Sequence, residues 1–420
     1  MIKKLFKSDF NRNVLTLLSG TTIAQAIPIA ISPILTRLYT PEDFGALALF
    51  VAITAILASV ANGRYEMAIV LPKTDKEALS IMILSLVIST TLSGILLITI
   101  FIFYNPIVSL VNNEEIVKWL YFIPLVVFLS GLYNSLNYYN TRKKAYKNIA
   151  TTSVTKSFGL AFVQIILGLL KKGASGLIIG QIVSQALANG RLATTVIKDK
   201  VELRNVNRTS VLGAAKRYNN FPKFSMPAVL MNTISNNVMN FFLPVMFSVA
   251  TLGQYALVNR VLGAPSSIIG SSFGQVFMQQ AARERTETGN ARKTFNSTLK
   301  KLLVISILPF LILFFYGEQI ITLVFGEDWK LAGELIVILA PYFMIRFINT
   351  PLSTITSVFE KNQIALRMQF TYFGLVLFLI LISSVFSFSL KIFLIFFVSI
   401  LFLYNLFRLY IFRRVSLGIW

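Results

Sequence analysis

The chain has 420 residues, 55% of them hydrophobic and 13% charged, with a mean hydropathy of +0.71 and a formal net charge of +22. Soluble domains carry about twice that charged fraction, and the apolar residues here come in blocks of about 20, enough to cross about 30 Å of hydrocarbon; this excludes a soluble globular fold, and also a membrane β-barrel, whose segments alternate over about 10 residues. The sequence has no cysteine and no histidine, which excludes disulfides, thiol nucleophiles, imidazole bases and the usual zinc ligands.

In chain order the predicted spans are 13–38, 43–68, 78–104, 116–140, 148–170, 174–197, 217–246, 251–280, 296–316, 331–358, 366–386 and 389–412. They predict an all-α integral membrane protein. No cleavable signal peptide is expected, because MIKKLFKSDFNRN is polar and basic and the first apolar block is too long for a signal h-region. The connections alternate in basicity. One set (the N-terminus, 71–77, 141–147, 198–217, 281–301, 360–367 and the tail) holds 26 of the 39 Lys and Arg. The other holds Lys118, Lys171, Lys172, Lys330 and Lys391. The positive-inside rule then places both termini in the cytoplasm. Trp119 and Trp329 fall at the outer ends of spans, where interfacial aromatics are expected. The outer loops are short; the longest runs over 317–333. The high net charge is read as topology-setting cations rather than as a nucleic-acid surface.

The two halves look related. TPEDFGALALFVAI at 40–53 precedes SVATLGQYALVNRV at 248–261 by 208 residues, and Gly45, Ala48 and Leu49 match Gly253, Ala256 and Leu257. Copies six spans apart run the same way through the membrane, which predicts two parallel six-helix lobes. The lobes are expected at 1–200 and 217–420, with 201–216 as a cytoplasmic linker.

Once the loops are assigned, eight cations remain in or near spans: Arg37, Arg64, Lys156, Arg191, Lys223, Arg260, Arg346 and Arg408. Glu66 is the only acid. Arg64, Arg191 and Arg408 lie near span ends, where long cationic side chains snorkel to the headgroups; Arg37 can snorkel outward. At 1.5 Å per residue, Arg260 and Arg346 lie roughly 14 Å and 22 Å inside. An arginine that deep costs several kcal/mol unless it faces water or a partner. The expectation is a positively lined, water-filled cavity between the lobes and an anionic substrate, with scattered structural arginines as the alternative. Arg64 and Glu66, two apart on a helix, are expected to project to different sides, leaving Glu66 either neutral or paired with a cation on another helix, such as Lys156 or Lys223. NTISNNVMNFF at 232–242 adds amides and hydroxyls in mid-span, readable as a polar lining or as packing contacts. Prolines 28, 33, 227, 244, 265, 309 and 341 predict bent helices.

Three stretches, TRLYTPEDFGALALF, GRYEMAIVLPK and LGQYALVNRVLGAPSSIIGSSFGQVFMQQAARE, closely resemble the bacterial polysaccharide-transporter family, the O-antigen flippases. That family sits within the multidrug/oligosaccharidyl-lipid/polysaccharide exporter superfamily. The resemblance covers essentially the whole chain. It implies about twelve helices in two six-helix lobes, alternating access, and location in the bacterial cytoplasmic (inner) membrane. The implied substrate is an undecaprenyl-diphosphate-linked oligosaccharide, such as an O-antigen repeat destined for lipopolysaccharide, moved from the inner to the outer leaflet. Membrane lipids, a polysaccharide polymerase and chain-length machinery are the implied partners. Related peptidoglycan-precursor flippases hold the diphosphate with arginines on the first, second and eighth helices, where this chain carries Arg37, Arg64 and Arg260. Together with Lys223 and Arg346 these are the expected substrate-binding residues. No cofactor is expected. Glu66 is the one carboxylate placed within a span that could couple transport to sodium or protons, but the surplus of cations favours a permanently ionised, structural Glu66.

Two other readings stay open. A cation-coupled multidrug exporter of the same fold would favour cavity carboxylates. A membrane polysaccharide polymerase or ligase would favour larger outer loops.

Overall fold

The computed structural model describes residues 9–111, 117–199 and 206–419. The basic N-terminus up to Ser8 and the first part of the expected linker, 201–205, lie outside the described residues, as does the expected outer loop around Asn113. The described residues contain helices and no strand.

Among the described residues twelve long helical segments follow one another. The first half holds α1 (Asp9–Ala30, continued by Ser32–Leu38), α2 (Pro41–Val60), α3 (Asp75–Ile102), α4 (Ile123–Arg142), α5 (Tyr146–Leu169) and α6 (Ala174–Lys198). The second half holds α7 (Met226–Met246), α8 (Val249–Val258, continued by Ala264–Thr288), α9 (Arg292–Phe325), α10 (Lys330–Leu352), α11 (Asn362–Val385) and α12 (Leu390–Ser416). Eight helical segments among the described residues are long and apolar enough to cross a membrane. The chain is an all-α membrane protein.

Local chemistry sets the ends. Thr40 caps α2: its Oγ1 accepts from the Asp43 backbone N–H, and Asp43 returns the bond to the Thr40 N–H. Such a reciprocal box satisfies two otherwise orphaned donors. The side-chain half of this cap recurs 208 residues on, where Ser248 Oγ accepts from the Thr251 N–H at 3.0 Å. The sequence repeat is therefore a repeat of helix-start chemistry as well. One helix break coincides with prolines, while other prolines lie inside continuous helices. Pro28 and Pro33 flank the break in α1 at Ile31, and Pro309 and Pro341 lie inside α9 and α10. A proline removes an intrahelical donor and bends the rod.

Four expected spans differ in detail. The second span ends at Val60 rather than 68. The eighth is broken by a wider π turn at Asn259–Gly263, which carries Arg260. The ninth runs to Phe325, absorbing much of the expected outer loop 317–333. The tenth is followed by a separate turn at Ile355–Val358. The linker region is also structured in part. Arg208–Arg217 is a helix capped by Asn207 and packed on α3 through Ser80–Ser210 and Arg217–Glu77 contacts.

The chain forms two compact units, Met1–Phe241 and Phe242–Trp420, dividing inside α7. In the first, α5 packs between α1 and α6, and α4 packs on α2, α3 and α6. Asn62 ties three of these together, its Nδ2 donating to Ser85 O, Gly131 O and Ser135 Oγ at 3.1–3.2 Å. In the second, α10 is central and contacts α8, α9 and α12. Its approach to α9 depends on glycine: a Cβ on Gly333 would stand 2.7 Å from the Glu318 Cα.

Candidate functional site

The corner after α2 is built by two consecutive left-handed residues, Gly63 (φ 58°) and Arg64 (φ 63°). Glycine takes this conformation freely; for arginine it costs about 1–2 kcal/mol. The cost is offset by what the turn achieves. It starts a short 3-10 helix, Tyr65–Val70, and swings the Arg64 guanidinium back over it. Arg64 Nη1 lies 3.1 Å from Glu66 Oε1, with the two side chains only 18% and 3% exposed. Arg64 Nη2 also reaches Met67 Sδ at 2.8 Å. The expectation that these two residues point apart is therefore wrong: it assumed a continuous α-helix, and the helix has already ended. Glu66 does not pair with Lys156 or Lys223. Lys156 Nζ sits over the Tyr133 ring at 4.6 Å, and Lys223 is exposed in a π turn, Phe221–Ser225. One edge of the pair stays open, since Glu66 Oε2 and Arg64 Nε have no hydrogen-bond partner among the described residues.

The second unit holds a cluster of cations among tyrosines. Arg346, well inside α10, is exposed although its helical neighbours Tyr342, Phe343, Ile345 and Phe347 are buried. Its guanidinium stands 5.8 Å from the centre of the Phe343 ring. Tyr342, Tyr372 and Tyr255, from α10, α11 and α8, surround it; the Tyr342 and Tyr372 hydroxyls are 3.3 Å apart. Arg408 on α12 belongs to the same neighbourhood, with Tyr404, Tyr342, Tyr372 and Arg346 close to it. Its Nη1 donates to Asn405 Oδ1 at 3.3 Å, while its Nε has no partner among the described residues. Asn405 is itself fixed from α10 by Asn349. Sequence reasoning treated Arg408 as a snorkelling end residue and missed it here. The signal was available: Tyr404, Asn405 and Arg408 share one helical face in an otherwise apolar span.

Arg260 projects from the π turn of α8, half-buried, with no ion pair or hydrogen bond among the described residues. That turn packs on α10. Arg37 is exposed in the last turn of Ser32–Leu38. The amides of α7 bond within their own helix, Asn236 to Asn232 and Asn240 to Asn237. Asn232 and Asn236 are nevertheless exposed. Thus Arg64 meets Glu66, Arg346 meets Arg408, and neither group contains Arg37 or Lys223. No group of acidic side chains suited to a metal ion occurs among the described residues.

Comparison with known proteins agrees with this architecture. The chain is 24% identical over 264 residues to the teichuronic acid biosynthesis protein TuaB of Bacillus subtilis (strain 168), a match covering 62% of this chain. The matched region spans about half (53%) of that relative's length. Among solved structures, the MATE multidrug transporter DinF-BH superposes with a TM-score of 0.66 at 15% identity, covering 96% of this chain and 95% of that one. An inward-facing multidrug resistance MATE family transporter of the MOP superfamily superposes with a TM-score of 0.62, also at 15% identity, covering 94% and 96%. At that identity the likeness is one of fold. Residues 34–333, well over half of the chain, match the family described as polysaccharide biosynthesis protein. The chain therefore belongs to the polysaccharide biosynthesis protein family and has the fold of the MOP-superfamily transporters.

Proposed function

We propose that this exporter moves an undecaprenyl-diphosphate-linked oligosaccharide from the inner to the outer leaflet by alternating access. One observation carries the reading: arginines kept inside an apolar helical protein without carboxylates to neutralise them. Arg346 and Arg408 lie near the same tyrosines, Tyr342 and Tyr372, Arg260 has no anionic partner among the described residues, and among those residues Glu66 pairs with Arg64. Uncompensated cations within a span are stable only against water or an anion. A diphosphate suits them, because guanidinium forks bind phosphate oxygens in pairs. The exposed amides of Asn232 and Asn236 are suited to sugar hydroxyls, since amides facing hydrocarbon would leave polar groups unsatisfied. The name of the TuaB relative supports a surface polysaccharide as the end product. A carrier of organic cations would need carboxylates where this chain has arginines.

The orientation belongs to the same proposal, with both termini in the cytoplasm of a bacterial inner membrane. Single cysteines in place of Lys147 and Arg283 should resist an impermeant thiol reagent in intact cells, whereas one at Lys391 should react; the reverse pattern overturns the orientation. The sequence has no native cysteine to confuse the labelling. The function is tested in a strain lacking the chain. Lipid-linked oligosaccharide of unchanged glycan length should accumulate on the cytoplasmic side while surface glycan is lost. Accumulation of unpolymerised repeats on the outer side would instead indicate a polymerase.

A further inference from the structure

A second basic site lies in the first unit, away from the residues discussed above. Where α4 passes into α5, beside the C-terminal end of α6, there is a hollow of about 440 Å³. Its wall includes Lys143, Lys147, Asn148, Arg191, Thr195 and Lys198, and its one acid is Asp199. Lys143 is already committed to Asp75 and Asp199. Burial alone would lower its pKa, but the hydrogen bonds to those two carboxylates outweigh this and raise it. Lys147, Arg191 and Lys198 are exposed, and none forms an ion pair with a described residue. Three cations thus line one hollow whose single described carboxylate, Asp199, is already paired with Lys143.

The wall is also cross-linked by hydrogen bonds. Asn148 Nδ2 donates to Asn140 Oδ1 at 2.9 Å and to Thr195 Oγ1 at 3.2 Å, and Thr195 donates to Asn140 Oδ1 at 2.6 Å. Arg191 Nη1 donates to Thr155 Oγ1 at 2.8 Å, which fixes one edge of the guanidinium. The volume is within the range of small-ligand sites, roughly 300–1,000 Å³. The position is informative as well. Leu120–Arg142 and Tyr146–Leu169 are both membrane-spanning candidates, so the turn between them lies at headgroup depth. Basic pockets between membrane helices at that depth recognise anionic lipid headgroups.

We propose that this hollow binds a phosphate group, supplied by an anionic phospholipid of the surrounding leaflet, with Lys147, Arg191 and Lys198 as its ligands. The site is separate from the transport reading and is tested without it. Thermal unfolding of the purified full chain is followed with phosphatidylglycerol, phosphatidylcholine or inorganic pyrophosphate. Phosphatidylglycerol should raise Tm by several degrees more than phosphatidylcholine, and the triple variant Lys147→Gln, Arg191→Gln, Lys198→Gln should lose most of that difference. Equal shifts with the two lipids, or an undiminished difference in the variant, overturn the proposal. A variant-sensitive shift with pyrophosphate equal to that with phosphatidylglycerol overturns the lipid source and assigns the site to soluble phosphate. Should the triple variant be unstable in phosphatidylcholine, native mass spectrometry of Lys147→Gln against the wild type reads the same contrast. Weaker retention of phosphatidylglycerol by the variant is expected, and equal retention refutes the assignment.

Discussion

Arg346→Ala should lower glycan export by about 10- to 100-fold while the amount of protein in the membrane stays normal. A hydrogen bond to a charged group contributes about 1.5–3 kcal/mol, and each 1.4 kcal/mol is tenfold. Arg346 is exposed beside buried aromatics and pairs with no described carboxylate, so removing it strands no buried negative charge. Stability should change little for that reason. Arg346→Lys keeps the charge but loses the planar fork, and intermediate export is expected. Arg408→Ala should act on the same function, and the double variant should fall short of the sum of the two effects, because neighbouring residues couple. Export is measured as surface glycan, with protein quantified in the same membranes. Full export by Arg346→Ala removes this residue from the substrate path.

Glu66→Gln should behave in the opposite way, losing protein rather than only rate. The Arg64–Glu66 pair is largely buried, and removing one partner of a buried pair costs about 3–5 kcal/mol because the other charge is left uncompensated. The corner would lose its anchor as well, since the left-handed Arg64 is held over Tyr65–Val70 by that contact. Replacing both partners, Arg64→Met with Glu66→Gln, should restore abundance while lowering transport. Coupling to sodium or protons gives a distinct result: Glu66→Gln stays abundant and transports, but no longer responds to an imposed ion gradient. Abundance and gradient-dependent flux measured together in vesicles separate the two. Normal values of both contradict a structural role and a coupling role alike.

The contrast between Arg64 and Arg346 marks what was legible in the sequence. Most span positions were readable because hydrocarbon thickness fixes a length scale: among the described residues twelve long helical segments cover the apolar blocks, eight of them long and apolar enough to cross a membrane. The Thr40 and Ser248 caps were implicit in the repeat at 40–53 and 248–261. The place of Arg346 in the interior of a long helix followed from counting residues along α10. The Arg64–Glu66 contact did not, because it depends on two left-handed residues at Gly63–Arg64 that hydropathy does not register. Arg408 was misjudged for a related reason. Distance from a span end says nothing about which neighbours share its face, and Tyr342 and Tyr372 come from other helices. The hollow around Arg191 was invisible as well, because its wall combines α4, α5 and α6.

Reconstituted flipping is the most direct measurement. The purified chain is placed in liposomes carrying a labelled undecaprenyl-diphosphate-linked oligosaccharide, and the fraction open to an external glycosidase is followed in time. The wild type should bring substrate from the inner leaflet to the outer well above the protein-free rate, with glycan length unchanged, and Arg346→Ala should remain near background. A wild-type rate equal to that of protein-free liposomes, or a change in glycan length, would contradict the assignment of this chain as a lipid-linked oligosaccharide flippase.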